Sequence, residues 1–229
     1  MLPNLKRRSN LVTMQLKFEK VDGWGGKRKH AGRPNKSGLR AHVARNKVNE
    51  KTPLHITMKI RKGVTRLRTP TFLKEFQQAI KRAQKFGLYI NHFAILNDHI
   101  HMIVETRNNK ALAKGMMSLG CRLGKRLKRM SLGAKTVFKE RYHLRVLKTP
   151  TEVKNAFLYV LLNYSKHRRL IGHLDEFSTG RFFTDWKKLI GKRYEPVLDW
   201  ETEGLPRKLP GFLAPSRSWL GRTGWQRAI

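Results

Sequence analysis

Two largely apolar runs, 88–96 and 99–106, are separated only by Asn97-Asp98. Asn and Asp favour tight turns, and a two-residue link returns the second strand antiparallel to the first. A β-hairpin therefore sits near the middle of the chain, and the flanking segments must complete a sheet around it. Residues 53–60 (PLHITMKI) alternate well enough for an earlier strand, and residues 137–147 (VFKERYHLRVL) predict a later one. Thr69-Pro70 opens a helix, Thr69 as N-cap and Pro70 at the first position; Phe72, Leu73, Phe76, Ala79, Ile80, Ala83 and Phe86 follow at helical spacing up to Gly87. Asn108-Asn109 starts a second helix that runs to about Met130, and Thr149-Pro150 opens a third that runs to about Leu170. The order is β-α-β-β-α-β-α. Its first six elements predict the ferredoxin-like βαββαβ arrangement, an α+β fold with an antiparallel sheet and helices on one face. The last helix is a C-terminal addition to it.

On the hairpin's second strand, residues two apart share a face, so His99 and His101 present two imidazoles side by side. That is half of a metal site. In the third helix Tyr159 and Asn163, four apart, also share a face. Two His on a strand, with Tyr and Asn on a helix, are what metal-assisted attack of a tyrosine on a phosphodiester needs. Neither spacing is specific alone in a chain with nine His and five Tyr, and a structural histidine pair accounts for the same residues. Placement adds weight. The His pair falls on a strand that is central in this topology, and the helix divides into an apolar stripe (Val153, Phe157, Val160, Leu161) and a polar one (Asn155, Tyr159, Asn163, Lys166).

The partner is constrained by charge. Fifty Lys and Arg oppose 15 Asp and Glu, a net charge of +35, which attracts polyanions and makes nucleic acid the first partner to consider. No apolar run approaches the ~18 residues that a membrane-spanning helix needs, and no signal-peptide core opens the sequence. The single cysteine, Cys121, excludes an intramolecular disulfide and a Cys-based zinc site, and fits a reducing, cytoplasmic setting.

At the motifs themselves the chain resembles a known family. NDHIHMIVE is similar to the His-hydrophobic-His motif of HUH endonucleases, and YVLLNY to the Tyr-hydrophobic-x-x-Asn motif of single-tyrosine transposases of bacterial insertion sequences, especially the REP-associated tyrosine transposase-like proteins. The resemblance covers roughly residues 53–170; RYHLRVLKTPTEVKNAFLYVLLN carries much of it, and FSTGRFFTDW and RSWLGRTGW look like the same group. The group often has Asn-Pro where this chain has Asn163-Tyr164. The resemblance implies that His99, His101 and Asn163 bind one Mg²⁺ or Mn²⁺ and that Tyr159 is the nucleophile. It implies cleavage and rejoining of single-stranded, hairpin-containing DNA through a 5′-phosphotyrosine, in the cytoplasm at the bacterial nucleoid, by a monomer or homodimer with no membrane partner and no small-molecule substrate. Two other readings share many of these features: a non-enzymatic nucleic-acid-binding protein of ferredoxin-like fold, and a replication initiator or relaxase with the same metal chemistry.

Three regions follow from this: a basic N-terminal arm at 1–51, a catalytic domain at 52–171, and a basic aromatic tail at 172–229. Candidate DNA-binding residues are Arg28 and Arg33 of the arm, Arg122 and Arg126 on the polar side of the second helix, Tyr142 and Arg145 on the fourth strand, and Lys166 beyond Tyr159. His55 alternates into the first strand and reads as a packed histidine rather than a ligand. Phe182, Phe183, Trp186, Trp219 and Trp225, set among Arg and Lys, are the composition that stacks unpaired bases, and equally what a tail needs to pack on a domain.

Overall fold

The computed structural model describes residues 47–131, 136–168, 174–190 and 209–228. Arg28 and Arg33 lie outside them. The elements are β1 (Leu54–Lys59), α1 (Pro70–Gln84), β2 (Leu88–Ile95), β3 (His99–Thr106), α2 (Asn109–Met130), β4 (His143–Val146) and α3 (Pro150–Arg168). The four strands form one antiparallel sheet in the order β2-β3-β1-β4, which is the ferredoxin-like α+β fold.

Each long helix starts where its cap dictates. Thr69 accepts a hydrogen bond from Phe72 N, and Asn108 accepts one from Ala111 N at 2.9 Å. At α3, Glu152 N donates to Thr149 Oγ1 (3.2 Å) while Glu152 Oε2 accepts from Thr149 N (3.3 Å), a reciprocal capping box. Gly87, at φ 81°, supplies the left-handed residue that turns α1 into β2.

The helices α1 and α2 cover one face of the sheet. Phe72, Phe76 and Ile80 of α1 and Leu112, Leu119, Leu123 and Leu127 of α2 pack there on Leu54, Ile56, Ile90, Met102 and Val104. The other face is covered by α3. Val153, Phe157, Val160 and Leu161 pack on Ala94 and Ile103, and Phe183, Trp186, Leu220 and Trp225 complete this second core. Along β2 a bulge between Ile90 and His92 shifts the register, so that Ile90 and Phe93 both reach the first core although three positions apart.

One expectation needs correction. The fourth strand is His143–Val146, not 137–147; Phe138 is held separately, in an isolated bridge to Ile60. The segment between carries two residues more than the ladder requires, and its charged Lys139, Glu140 and Arg141 sit where an edge strand has a partner on one side only. Of the two readings of the tail aromatics, packing holds for four of the five. Phe183, Trp186 and Trp225 are buried, Phe182 packs on the first core, and Trp219 alone of the five is exposed. The described tail also shields the outer edge of β2: Ile95 N donates to Phe177 O (2.9 Å), Thr179 N to Phe93 O (3.0 Å) and Ala214 N to Ile90 O (3.0 Å). An edge paired in this way cannot recruit another chain.

Candidate active site

Alternation along the strands fixes what lies under α3. Thr57 is opposite His101 on one side and His143 on the other, and Ala94 is opposite His101. One row along, His55 is opposite Ile103 and Arg145, and His92 is opposite Ile103. His55, His92, His99, His101 and His143 therefore share one face of the sheet.

At the centre is His101, 4% exposed. Its Nδ1 lies 3.0 Å from Thr57 Oγ1 and 3.2 Å from His55 Nε2. Its Nε2 lies 3.3 Å from the Tyr159 hydroxyl, with the two rings edge-on at 4.8 Å between centroids. His99 stands beside it, rings perpendicular and 4.7 Å apart, with Nδ1 2.6 Å from Asp98 Oδ1. Burial pushes the Asp98 carboxyl up, but hydrogen bonds and charge from His99 and Lys59 together outweigh it and hold the pKa below the ordinary value. Asp98 is thus an ionised acceptor, and His99 Nδ1 donates to it. His55, lowered to about 4 first by burial and then by the charges of His143 and Arg145, is neutral near pH 7 and can accept. His101 can therefore donate from Nδ1 to Thr57 or His55, leaving its Nε2 as the acceptor for Tyr159. Carboxylate or carbonyl support on the far nitrogen is how ligating histidines are commonly oriented.

Tyr159 and Asn163 project from successive turns of α3. Tyr159 is 47% exposed, open to a substrate, whereas Asn163 is 3% exposed and neither its Oδ1 nor its Nδ2 has a hydrogen-bond partner among the described residues. A buried unpaired polar atom costs about 1–3 kcal/mol, so the amide fits a site that something else completes. Among the described residues no group of three or more His, Cys, Asp or Glu is arranged to hold a metal. Two imidazoles and an amide are the donors available, a set that leaves coordination positions open. Tyr164, the other tyrosine of this helix, is stacked under the Arg68 guanidinium, 3.5 Å from the ring centroid, and Arg68 is itself paired with Asp175 at 2.7 Å.

The remaining candidates scatter. Arg145 shares the histidine face and pairs with Glu152 at 2.8 Å. Tyr142, just before β4, packs partly buried against the first core. Arg122 and Arg126 lie on α2, across the sheet from Tyr159, and Arg122 pairs with Glu75 at 3.1 Å and with Gln78 of α1. The structure does not bring these two to the site. The side chain of Lys166 is outside the described residues. Sequence reading missed Thr57 and Asp98 and took His55 for packing alone. Alternation along β1 put His55 and Thr57 on one face, and only the strand order, with β1 beside β3, reveals that this face is shared with His101.

No family model and no curated protein matches the chain. Among solved structures, a REP-associated tyrosine transposase bound to a REP hairpin is similar to it at 16% sequence identity, covering 61% of this chain and 82% of that one, with a TM-score of 0.49.

Proposed function

We propose that the protein cleaves and rejoins single-stranded DNA with Tyr159 as nucleophile. The observation that carries this reading is the Tyr159 hydroxyl set 3.3 Å from His101 Nε2, one helical turn from the unpartnered Asn163 amide. His99 and His101 through Nε2, with Asn163 through Oδ1, would hold one Mg²⁺ or Mn²⁺, which when bound polarises a non-bridging phosphate oxygen. Ligation through His101 Nε2 would replace the Tyr159 hydrogen bond, so the hydroxyl would be released to face a phosphate. The Tyr159 oxygen then attacks phosphorus and the bond to the 3′-oxygen breaks; the phenolic proton ends on that oxygen, giving a 5′-phosphotyrosine and a free 3′-OH. The reverse attack rejoins strands with no energy source, because the phosphoester is conserved. The protein's own contribution is position: Asp98 and Thr57 fix the imidazoles, and the second core fixes α3.

The competing reading, a binding module without chemistry, is less well supported. Modules of this topology stack bases on the open sheet face. Here that face is covered by α3 and by the Phe157–Trp225 core. The test is incubation with pools of single-stranded hairpin DNA and Mn²⁺, resolved on a denaturing gel. A covalent protein–DNA band is expected; binding without any such band supports the module instead.

A further inference from the structure

The chemistry at Tyr159 does not use a cavity of about 650 Å³ at the other end of α3, where β3 finishes. Thr106 lines it, 2% exposed, with its hydroxyl unpartnered among the described residues. Lys51, Arg107, Lys148 and Arg217 line it too; all are exposed, and none forms a salt bridge among the described residues. Arg217 lies over the Tyr89 ring at 3.5 Å, which holds its guanidinium in place. Two carboxylates also line the cavity. Glu50 is the counterweight to four cations, and Glu105 is already engaged, accepting from Arg217 N (2.6 Å), Ser218 N (3.2 Å) and Ser218 Oγ (2.6 Å). Those bonds fix the backbone that presents Trp219. The indole is 52% exposed and is backed by Gly224, where a Cβ would come within 2.7 Å of its ring atoms.

A half-exposed indole, approached by the Arg227 guanidinium at 5.5 Å from its centroid, and an excess of cations suit a flat aromatic ring that carries an anion. We propose that this cavity takes an unpaired nucleotide of the bound strand, its base against Trp219 and its phosphates among the four cations. The proposal rests on the single-strand reading above and deepens it. Pro150, on the cavity wall, precedes Tyr159 by nine residues of α3, about 14 Å at 1.5 Å per residue, or roughly four stacked nucleotides. Seating one base there would fix where the strand meets Tyr159.

The test uses the full chain and a DNA hairpin with single-stranded oligo-dT flanks, in which one thymine at a time is replaced by photoreactive 5-iodouracil. Cross-links are expected on the peptide that carries Trp219, from a narrow set of flank positions. Trp219→Ala should weaken binding of the flanked hairpin about 5- to 150-fold, the range of base–aromatic stacking, and leave an unflanked hairpin unaffected; Trp219→Phe should recover most of the loss. Cross-links that map only elsewhere, or a Trp219→Ala chain that binds the flanked hairpin within about twofold of the original, would overturn the proposal. Neither readout needs cleavage. A chain that forms the Tyr159 adduct but shows neither effect keeps its nuclease site and loses this pocket; one that cross-links at Trp219 but forms no adduct keeps the pocket and loses the nuclease reading.

Discussion

Under α1 and α2 the two central strands pack apolar side chains: Leu54, Ile56 and Met58 of β1 and Ile100, Met102 and Val104 of β3 are each 6% exposed or less. One residue out of step, the same two strands turn His55, Thr57, His99 and His101 toward α3, and α3 answers with Tyr159 and an amide that lacks a partner among the described residues. Burial on the first face stabilises without ambiguity, at about 1.5–3 kcal/mol for each large side chain. The second face leaves the Asn163 amide unpaired among the described residues and keeps His55 and His92 neutral by burying them. A face so built contributes less to stability than its area suggests, as expected where positions are held for chemistry rather than packing. The fold can keep it because Phe157, Trp186 and Trp225 form a separate apolar core beside the histidines.

Substitutions should separate the two faces sharply. The largest effect is expected from Tyr159→Phe, which removes one oxygen: no covalent adduct should form, while the thermal midpoint and DNA affinity stay unchanged. His99→Ala and His101→Ala should each lower adduct formation by orders of magnitude, as chelation by EDTA should. An adduct yield indifferent to all three would detach the histidine face from the reaction. On the opposite face Phe76→Ala should cost about 3–5 kcal/mol in denaturant unfolding, and any residual activity should track the folded fraction.

Smaller effects sharpen the contrast. His92 is buried and its pKa falls from 6.5 to about 4, owing to desolvation. Between those values the unfolded chain takes up a proton that the folded chain refuses. Stability is therefore complete above about pH 7 and falls as pH drops through that window, by about 3 kcal/mol at most for this residue. Unfolding curves for His92→Gln should lose that part of the pH dependence; an unchanged slope would show that the imidazole is charged in place. Asn163→Leu should go the other way for stability and function. Without metal it should raise stability by about 1–3 kcal/mol, since it removes two unpaired buried atoms, and it should reduce cleavage. A destabilised Asn163→Leu protein would mean that the amide is already satisfied. The smallest effect is expected at Arg122→Gln and Arg126→Gln, across the sheet from Tyr159. Adduct chemistry on bound DNA should persist, and only the salt dependence of affinity should flatten, by up to about 0.9 in log–log slope for each phosphate no longer neutralised.

Much of this architecture was legible in the chain. The Thr-Pro openings placed α1 and α3, Asn97-Asp98 placed the hairpin, and period-two and period-four spacing faced His101 toward Tyr159. What escaped depended on neighbours distant in sequence. Asn91 adds one residue to β2, and a single insertion breaks the alternation from which faces are read. The role of Thr57 depends on β1 lying next to β3. Arg122 and Arg126 look like any basic helix face until the sheet is seen to stand between them and Tyr159. The tail aromatics have no period because they fill gaps in a core that other elements build, so composition left stacking on bases and packing on the domain equally open where Trp186 and Trp225 meet Phe183 edge-on and tilted.

The most direct measurement is the site of covalent attachment. The full chain is incubated with single-stranded hairpin DNA and Mn²⁺, the adduct is digested, and the modified peptide is sequenced by mass spectrometry. The expected result is a 5′-phosphotyrosyl linkage on Tyr159 that EDTA abolishes. Attachment to Tyr164, or the same yield of adduct in chelator, would contradict the assignment of Tyr159 and the histidine pair to one reaction.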